Sequence, residues 1–497
     1  MIHFYILFLL LLFQACTPKH SDKPSFLFIL ETINSFSNKP SITSLDVSED
    51  VFEDKINTSS EWTVFNGKAP DALTMRSKLA IDQTWGFTYV VMDQDGDLYI
   101  DNKAREVHPT KNLILQKYDS TRNTIWTKEI GIPGSILKVG GIWFDQITHT
   151  IYITGSTDGF FAKKPNENSQ DLFVIKLDSN GNILWKKQIN TPGQNRFVSP
   201  TAITVDIFRN VWVTGTTNAP FGGNYDMHGN AFIAVFNQEG KQILLKQIAI
   251  QGAQIFPTGL AYSRNYGKIY MVGSAINANF RTNKPNFLKD NHINFRSSLF
   301  VLEYDIYSSL LKGDYKIILE MGGTNIDQYE GNSITVDREG HILIAGNRLN
   351  MKPNSNGILL GRSGILMKIL NPNRFNGPYN EPWTIDLGKT QEGDTIITAI
   401  TTDSVGNVFT TGSANENLQG EGNSAGKEDL FLTKHSSSGR KVWIKQIGSS
   451  HPDTCTYGTG IGVWKQDLYL VGTTTGAING LPVKGGIDQF VMKLKQE

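Results

Sequence analysis

The stretch Asp171–Ile189, DLFVIKLDSNGNILWKKQI, decides the fold. Apolar side chains alternate in Phe173-Val174-Ile175-Lys176-Leu177 and again in Ile183-Leu184-Trp185, with Asp178-Ser179-Asn180-Gly181 between them. Asn-Gly between two such runs is the strongest short hairpin signal, because a type I′ turn puts both central residues at positive φ. The stretch reads as two strands joined by a tight turn, and variants of it recur along most of the chain.

The hairpin's second strand is a marker that can be followed in both directions. It returns as Ile125-Trp126-Thr127-Lys128, Leu184-Trp185-Lys186-Lys187, Leu244-Leu245-Lys246-Gln247, Lys316-Ile317-Ile318-Leu319, Pro382-Trp383-Thr384 and Val442-Trp443-Ile444-Lys445, at spacings of 59, 60, 73, 65 and 60 residues. A second marker, a short strand ending in Gly and a polar loop, precedes each hairpin. It reads Tyr152-Ile153-Thr154-Gly155, Trp212-Val213-Thr214-Gly215, Tyr270-Met271-Val272-Gly273, Leu343-Ile344-Ala345-Gly346, Phe409-Thr410-Thr411-Gly412 and Tyr469-Leu470-Val471-Gly472. In the first unit the marker is Leu98-Tyr99-Ile100, without the glycine. Ahead of these lie strands such as Ala202-Ile203-Thr204-Val205 and Ile400-Thr401-Thr402, closed by turns at Asp206 and Asp403.

Each unit thus holds four short strands, and units begin near residues 88, 140, 201, 258, 332, 397 and 458. Repetition at a fixed period marks a repeat architecture. The seventh unit lacks its Trp-bearing fourth strand, and Glu61-Trp62-Thr63-Val64-Phe65-Asn66-Gly67 supplies one from the other end of the chain. The fold class expected is all-β: a seven-bladed β-propeller of four-stranded blades, closed by an N-terminal strand completing the last blade, which leaves no sheet edge open.

The D-x-F-V-x-K-x-D-x-x-G-x-x-x-W core at Asp171–Trp185, with its looser copy at Asp429–Trp443, resembles the repeat of the bacterial seven-bladed β-propeller proteins of the SBBP-repeat family. The resemblance covers about residues 61–497. It implies a propeller and, since many members are lipoproteins, a place in the cell envelope. It implies no settled biochemical role. The same D-x-x-G-x-x-x-W pattern also resembles the Trp-docking repeats of eight-bladed quinone-cofactor and assembly-factor propellers, against which seven units and the longer period count.

The N-terminus is consistent with that location. The apolar run 2–13, IHFYILFLLLLF, is followed by Gln14-Ala15-Cys16 and polar Thr17-Pro18-Lys19-His20. This resembles a lipoprotein signal peptide spanning 1–15, with Cys16 as the site of lipid attachment; the run is too short to span a bilayer. Residues 16–60 have the composition of a flexible tether, within which Phe26, Ile29, Leu30, Ile33 and Phe36 have the spacing of a short helix. Thr17 after the cysteine fits delivery to the outer membrane. With Cys16 lipidated, Cys455, the other cysteine, is expected to have no intramolecular partner, which excludes a disulfide-stapled scaffold.

Lys+Arg and Asp+Glu are balanced at 47 each, so no nucleic-acid partner is expected and the membrane is met through the lipid alone. Chemistry-bearing motifs are few, and each has a structural reading. Tryptophans 62, 126, 185, 383 and 443 stand at one fixed place per repeat, where aromatics pack between blades. Asp93-Gln94-Asp95-Gly96-Asp97 has the look of a calcium loop, but the twelfth place is Ala104 where the closing glutamate belongs. It reads as a β-turn like Asp337–Gly340 and Asp403–Gly406. Gly422-Asn423-Ser424-Ala425-Gly426 lacks the strand-to-helix setting of a nucleophile elbow. Gly458-Thr459-Gly460-Ile461-Gly462 leads into a strand, with no helix N-terminus to receive a phosphate. The nine histidines show no metal-ligand spacing.

No catalytic residue, cofactor or metal site is expected. The loops between second and third strands, 216–230, 274–296, 347–362, 413–427 and 473–486, are long and polar and share a face with the connections between blades. A protein or glycan partner is expected on that face. The competing reading is an enzyme acting on carbohydrate through the central channel, which would need carboxylates to converge there; Asp206, Asp337 and Asp403 sit instead at equivalent repeat positions.

Overall fold

In the computed structural model the described residues are 62–66 and 76–495, less 96–98, 102–105, 109, 122, 163–167, 224–228, 281–283, 286–295, 309–312, 325–326, 353–357, 371–381, 389, 391, 419–425, 450, 479–481 and 484–486. They form seven four-stranded antiparallel sheets, two small two-stranded ribbons and no helix. Cys16, the signal segment and the tether lie outside the described residues.

Within each blade the strands follow in chain order. The first blade is Arg76–Ile81, Thr88–Asp95, Lys111–Tyr118 and Thr124–Ile130. The second is Leu137–Asp145, Thr150–Thr157, Asp171–Asp178 and Ile183–Ile189, and the third Val198–Val205, Val211–Thr217, Asn230–Phe236 and Gln242–Ile248. The fourth, whose Ile-bearing unit is the longest, is a full blade of Gln254–Ser263, Lys268–Ile276, Ser297–Asp305 and Lys316–Gly322. The fifth is Gln328–Val336, Ile342–Met351, Leu359–Ile369 and Trp383–Leu387. The sixth is Thr395–Thr402, Val408–Ala414, Asp429–His435 and Lys441–Ile447. In the seventh, Thr456–Trp464, Asp467–Thr474 and Asp488–Lys495 are joined by Trp62–Asn66, antiparallel to the last with Val64 opposite Val491.

Second strands are mostly buried, entirely so in Val211–Thr217, because neighbouring blades cover both faces. Fourth strands such as Ile183–Ile189 lie at the rim and are exposed or half-buried. The core is accordingly a series of inter-blade layers, one of which joins Trp212, Ile233 and Val235 to Ile269, Met271 and Phe300.

The marker glycine has a packing cause. In blades two to seven the first strand carries a bulge, at Gly140, Thr201, Thr258, Asn332, Thr398 and Thr459. The bulge presses a first-strand carbonyl onto the second strand, where a Cβ at Gly155, Gly215, Gly273, Gly346, Gly412 or Gly472 would overlap it. At Gly155, Gly273 and Gly472 a third-strand phenylalanine ring fills the remaining space. The first blade has neither device: Arg76–Ile81 pairs with Thr88–Asp93 without interruption, with Met92 opposite Ser77. The bulged residues also join blades. Thr201 Oγ1 donates to Pro257 O (2.7 Å), Thr258 Oγ1 to Gly331 O (2.7 Å), Asn332 Nδ2 to Ile397 O (2.6 Å), Thr398 Oγ1 to Gly458 O (2.5 Å) and Thr459 Oγ1 to Ser77 O (3.1 Å).

Four expectations are corrected. The first unit starts at Arg76, not near residue 88, which begins its second strand. Tyr99–Asp101, expected as a blade strand, pairs with Glu106–His108 in a ribbon of its own. Asp93 therefore lies within a second strand, Thr88–Asp95, and the turn equivalent to Asp337 and Asp403 is at Asp82, whose Oδ1 accepts the Thr84 and Trp85 amides at 2.9 and 3.3 Å. Finally, the hairpin at Asp178 is no type I′ turn: Gly181 has positive φ (79°) and Asn180 does not. Asp178 Oδ1 accepts the Asn180 and Asn182 amides, both at 2.9 Å, which holds the preceding residues in a tight turn and leaves Gly181 the single left-handed residue.

Candidate functional site

The repeat's own polar residues are spent on joining blades. The third-strand lysine reaches the next blade's hairpin turn, Lys176 Nζ to Gln238 O (3.4 Å), Lys368 Nζ to Ser437 O (3.3 Å) and Lys493 Nζ to Ser120 O (3.2 Å). Trp185 Nε1 donates to Gln238 O (3.0 Å) and Trp383 Nε1 to Ser437 O (3.2 Å). Gly240 and Gly439, both at positive φ, pack directly against those two indoles. Trp126 meets Tyr89 and Trp443 meets Phe409. The tryptophans are packing residues; the Trp62 side chain lies outside the described residues.

Asp206 and Asp403 are likewise bound by their own turns. Asp206 Oδ1 accepts the Phe208 and Asn210 amides, and Oδ2 accepts Asn210 Nδ2 and Trp212 Nε1. Asp403 accepts the Val405 and Asn407 amides and Asn407 Nδ2. Asp337, Glu339 and His341 bring three ligand atoms within 4.8 Å of one another, a grouping hidden in sequence inside a β-turn. The Lys368 ammonium, 3.2 Å from Asp337 Oδ2, already supplies that carboxylate's positive charge. Gly458, Gly460 and Gly462 lie against Thr411, Leu79 and Ile81, so this glycine run serves close approach of neighbouring blades. Of Gly422–Gly426, only Gly426 is among the described residues.

The junction between the first two blades is open. Between the first two blades lies a cavity of about 180 Å3 lined by Asp82, Trp85, Phe87, Tyr89, Lys117, His149 and Ser179. Lys117 Nζ sits 3.9 Å from the Phe87 ring centroid and 5.4 Å from that of Tyr89, and donates to Ser179 O at 3.3 Å. Burial lowers its pKa, against the opposing pull of the Asp82 charge. Tyr89 is fully buried and stacks on Phe144 at 5.0 Å, and its hydroxyl has no hydrogen-bond partner. Burial first, and then the Asp82 charge, drives the Tyr89 pKa far above its ordinary value. Asp82 Oδ2 lies 3.8 Å from His149 Nδ1. Trp85 stands 65% exposed at the mouth.

The next junction shows what makes this one different. His149 (φ 51°) and Arg209 (φ 65°) are the left-handed residues of corresponding turns. Arg209 Nε reaches back to 3.2 Å from Asp145 Oδ2, whereas the shorter His149 leaves space beside Asp82. The cavity is built from first-to-second and third-to-fourth turns, so it opens at the opposite end of the strands from the long loops. The repeat pattern hides it, because Asp82 and Trp85 precede residue 88, near which that pattern places the start of the first unit. The Asp82-Gln83-Thr84-Trp85-Gly86 turn was the available signal.

A second departure from the repeat lies in the sixth blade. Asp171, the first residue of its third strand, is fully satisfied: Oδ1 accepts the Thr191 amide (2.8 Å), and Oδ2 accepts Gln188 Nε2 (2.8 Å) and Asn190 Nδ2 (3.1 Å). Its counterpart Asp429 has Gly448 where Asn190 would be, and Gln446 turns to Glu416 O (2.9 Å). No side-chain donor reaches either buried Asp429 oxygen. Burial lifts Asp429 to about 6, against the Gly426 backbone. Burial lifts the adjacent Glu428 to about 7; Tyr457 opposes this and the Asp394 charge adds to it.

A β-propeller repeat model, SBBP, matches residues 184–222 and 383–419. Each match runs from a fourth strand across a blade junction through the next blade's first two strands. Among curated proteins none matches the sequence. Similar solved structures include the Dos1 propeller, 10% identical over 86% of this chain and 95% of that one with a TM-score of 0.42. A protein of unknown function from Dyadobacter fermentans is 8% identical over 88% and 99%, with a TM-score of 0.43. A PL25 polysaccharide lyase, an ulvan lyase, is 8% identical over 86% and 95%, with a TM-score of 0.44. No activity transfers at such identities.

Proposed function

We propose that this chain, a seven-bladed propeller carrying SBBP β-propeller repeats, is a lipid-anchored binding module of the cell envelope, with Cys16 carrying the lipid and a protein or glycan as partner. The observation that carries the reading is the open junction between the first two blades. This junction presents an exposed indole, a carboxylate and a buried hydroxyl around an empty volume, where at the next junction Arg209 pairs with Asp145. A concave, mostly aromatic site with a few convergent polar groups is what a binding function requires. The test is an array of glycans and peptides probed with the wild-type chain and with Trp85→Ala. Ligands lost on Trp85→Ala support the reading, and an array blank for both proteins overturns it.

The competing reading, an enzyme, draws on Glu428. A buried carboxylic acid titrating near 7 can hold and deliver a proton at neutral pH. Polysaccharide cleavage by the wild-type chain that disappears in both Glu428→Gln and Asp429→Asn would favour it over binding alone.

A further inference from the structure

We infer that the cleft between the first two blades takes one neutral sugar ring, its apolar face on Trp85 and its vicinal hydroxyls among Asp82, Tyr89 and Lys117. This rests on the binding reading above and names the ligand class of that same site. Size comes first: about 180 Å3 lies below the roughly 300–1,000 Å3 of pockets for drug-sized ligands and suits a single six-membered ring.

Charge then narrows the chemistry. A cationic ligand finds its place taken, since the Lys117 ammonium already lies 3.9 Å from the Phe87 centroid. An anionic ligand meets the Asp82 carboxylate in the wall. A neutral diol suits both, because each hydroxyl donates and accepts: one can give its hydrogen to Asp82 Oδ2 while its neighbour accepts from Lys117 Nζ. The buried Tyr89 hydroxyl, which has no partner, is the third polar group on offer. Tyr152, its counterpart in the second blade, also lacks a partner, but there Arg209 reaches into the junction and pairs with Asp145. Trp85 adds a flat apolar face 65% open to solvent, against which the C–H face of a sugar can pack.

The experiment titrates the full chain with methyl glycosides of neutral hexoses, followed by tryptophan emission and saturation-transfer NMR, with glucuronate and choline as charged probes. Expected is saturable millimolar binding of at least one neutral glycoside, weakened more than about 10-fold by Trp85→Ala and about 5-fold by Tyr89→Phe. Tyr89→Phe removes only an unpartnered hydroxyl, so its thermal midpoint stays at or above that of the wild type, which separates lost binding from lost folding. No response to any neutral glycoside up to about 100 mM overturns the inference. So does tighter binding of glucuronate or choline, or binding indifferent to Tyr89→Phe. If the glycosides fail while the array yields peptides that depend on Trp85, the sugar class falls and the binding reading stands; if both fail, both fall.

Discussion

At the scale of single residues, two kinds of position matter: those the repeat cannot spare and those where it is broken. Gly412 is of the first kind, because any Cβ there would overlap the Ile396 carbonyl oxygen at the first-strand bulge. Gly412→Ala is expected to cost about 2–4 kcal/mol, read as a lower urea midpoint at unchanged slope. Glu428 and Asp429 are of the second kind. Their pKa values rise on folding, from an ordinary 4.5 to about 7 and from 3.8 to about 6, so between those values the folded chain binds more protons than the unfolded one. The stability they contribute is complete below the unfolded pKa and is lost as pH rises through the folded value. Glu428→Gln should therefore gain on the wild type between pH ~5 and ~8, on the order of 2 kcal/mol, measured by urea unfolding across that range. His435 works in the opposite sense. Burial, with the Lys441 charge, lowers it from 6.5 to about 4, so its contribution fades as pH falls through that window.

At the scale of elements, the strand Trp62–Asn66 pairs with Asp488–Lys495 from Trp62 opposite Lys493 to Asn66 opposite Gln489. Without it, the backbone groups of Asp488–Lys495 on that side would face solvent as an open edge. A chain beginning at residue 68 is expected to melt several degrees lower and to self-associate, by calorimetry and light scattering. The first blade shows that bulge and glycine form one device, since with Met92 in the glycine's place opposite Ser77 the first strand runs unbroken. That blade, the least regular repeat, also borders the open cleft.

At the scale of the whole molecule, the ring of hydrogen bonds from Thr201, Thr258, Asn332, Thr398 and Thr459 ties successive blades around the axis, from the third blade through to the first. The ring places the tight turns at one end of the strands and the long loops at the other, leaving two separate faces for recognition. Attachment decides which partners either face can meet. Under the proposed anchoring, Cys16→Ser is expected to move the protein from the membrane to the soluble fraction. An unchanged distribution by fractionation and blotting would remove the lipid from the account. Protease added to intact cells would then report whether the propeller faces outward.

Sequence alone determined the strand content, the number of blades and the packing role of Trp126, Trp185, Trp383 and Trp443. These follow from alternation, turn chemistry and spacing, each set within a unit of about 60 residues and repeated often enough to survive a degenerate copy such as Lys316-Ile317-Ile318-Leu319. Where only one copy spoke, the phase slipped: Leu98-Tyr99-Ile100 imitated a blade strand, and Arg76–Ile81 went unread. The tertiary structure alone decided the bulge that makes the marker glycines necessary, the partners missing around Asp429 and the cleft at Asp82. Each depends on residues from different strands or different blades. Thr459 and Ser77, 382 positions apart, share a hydrogen bond of 2.7 Å that no local pattern records, because it exists only once the ring has brought the two ends of the chain together.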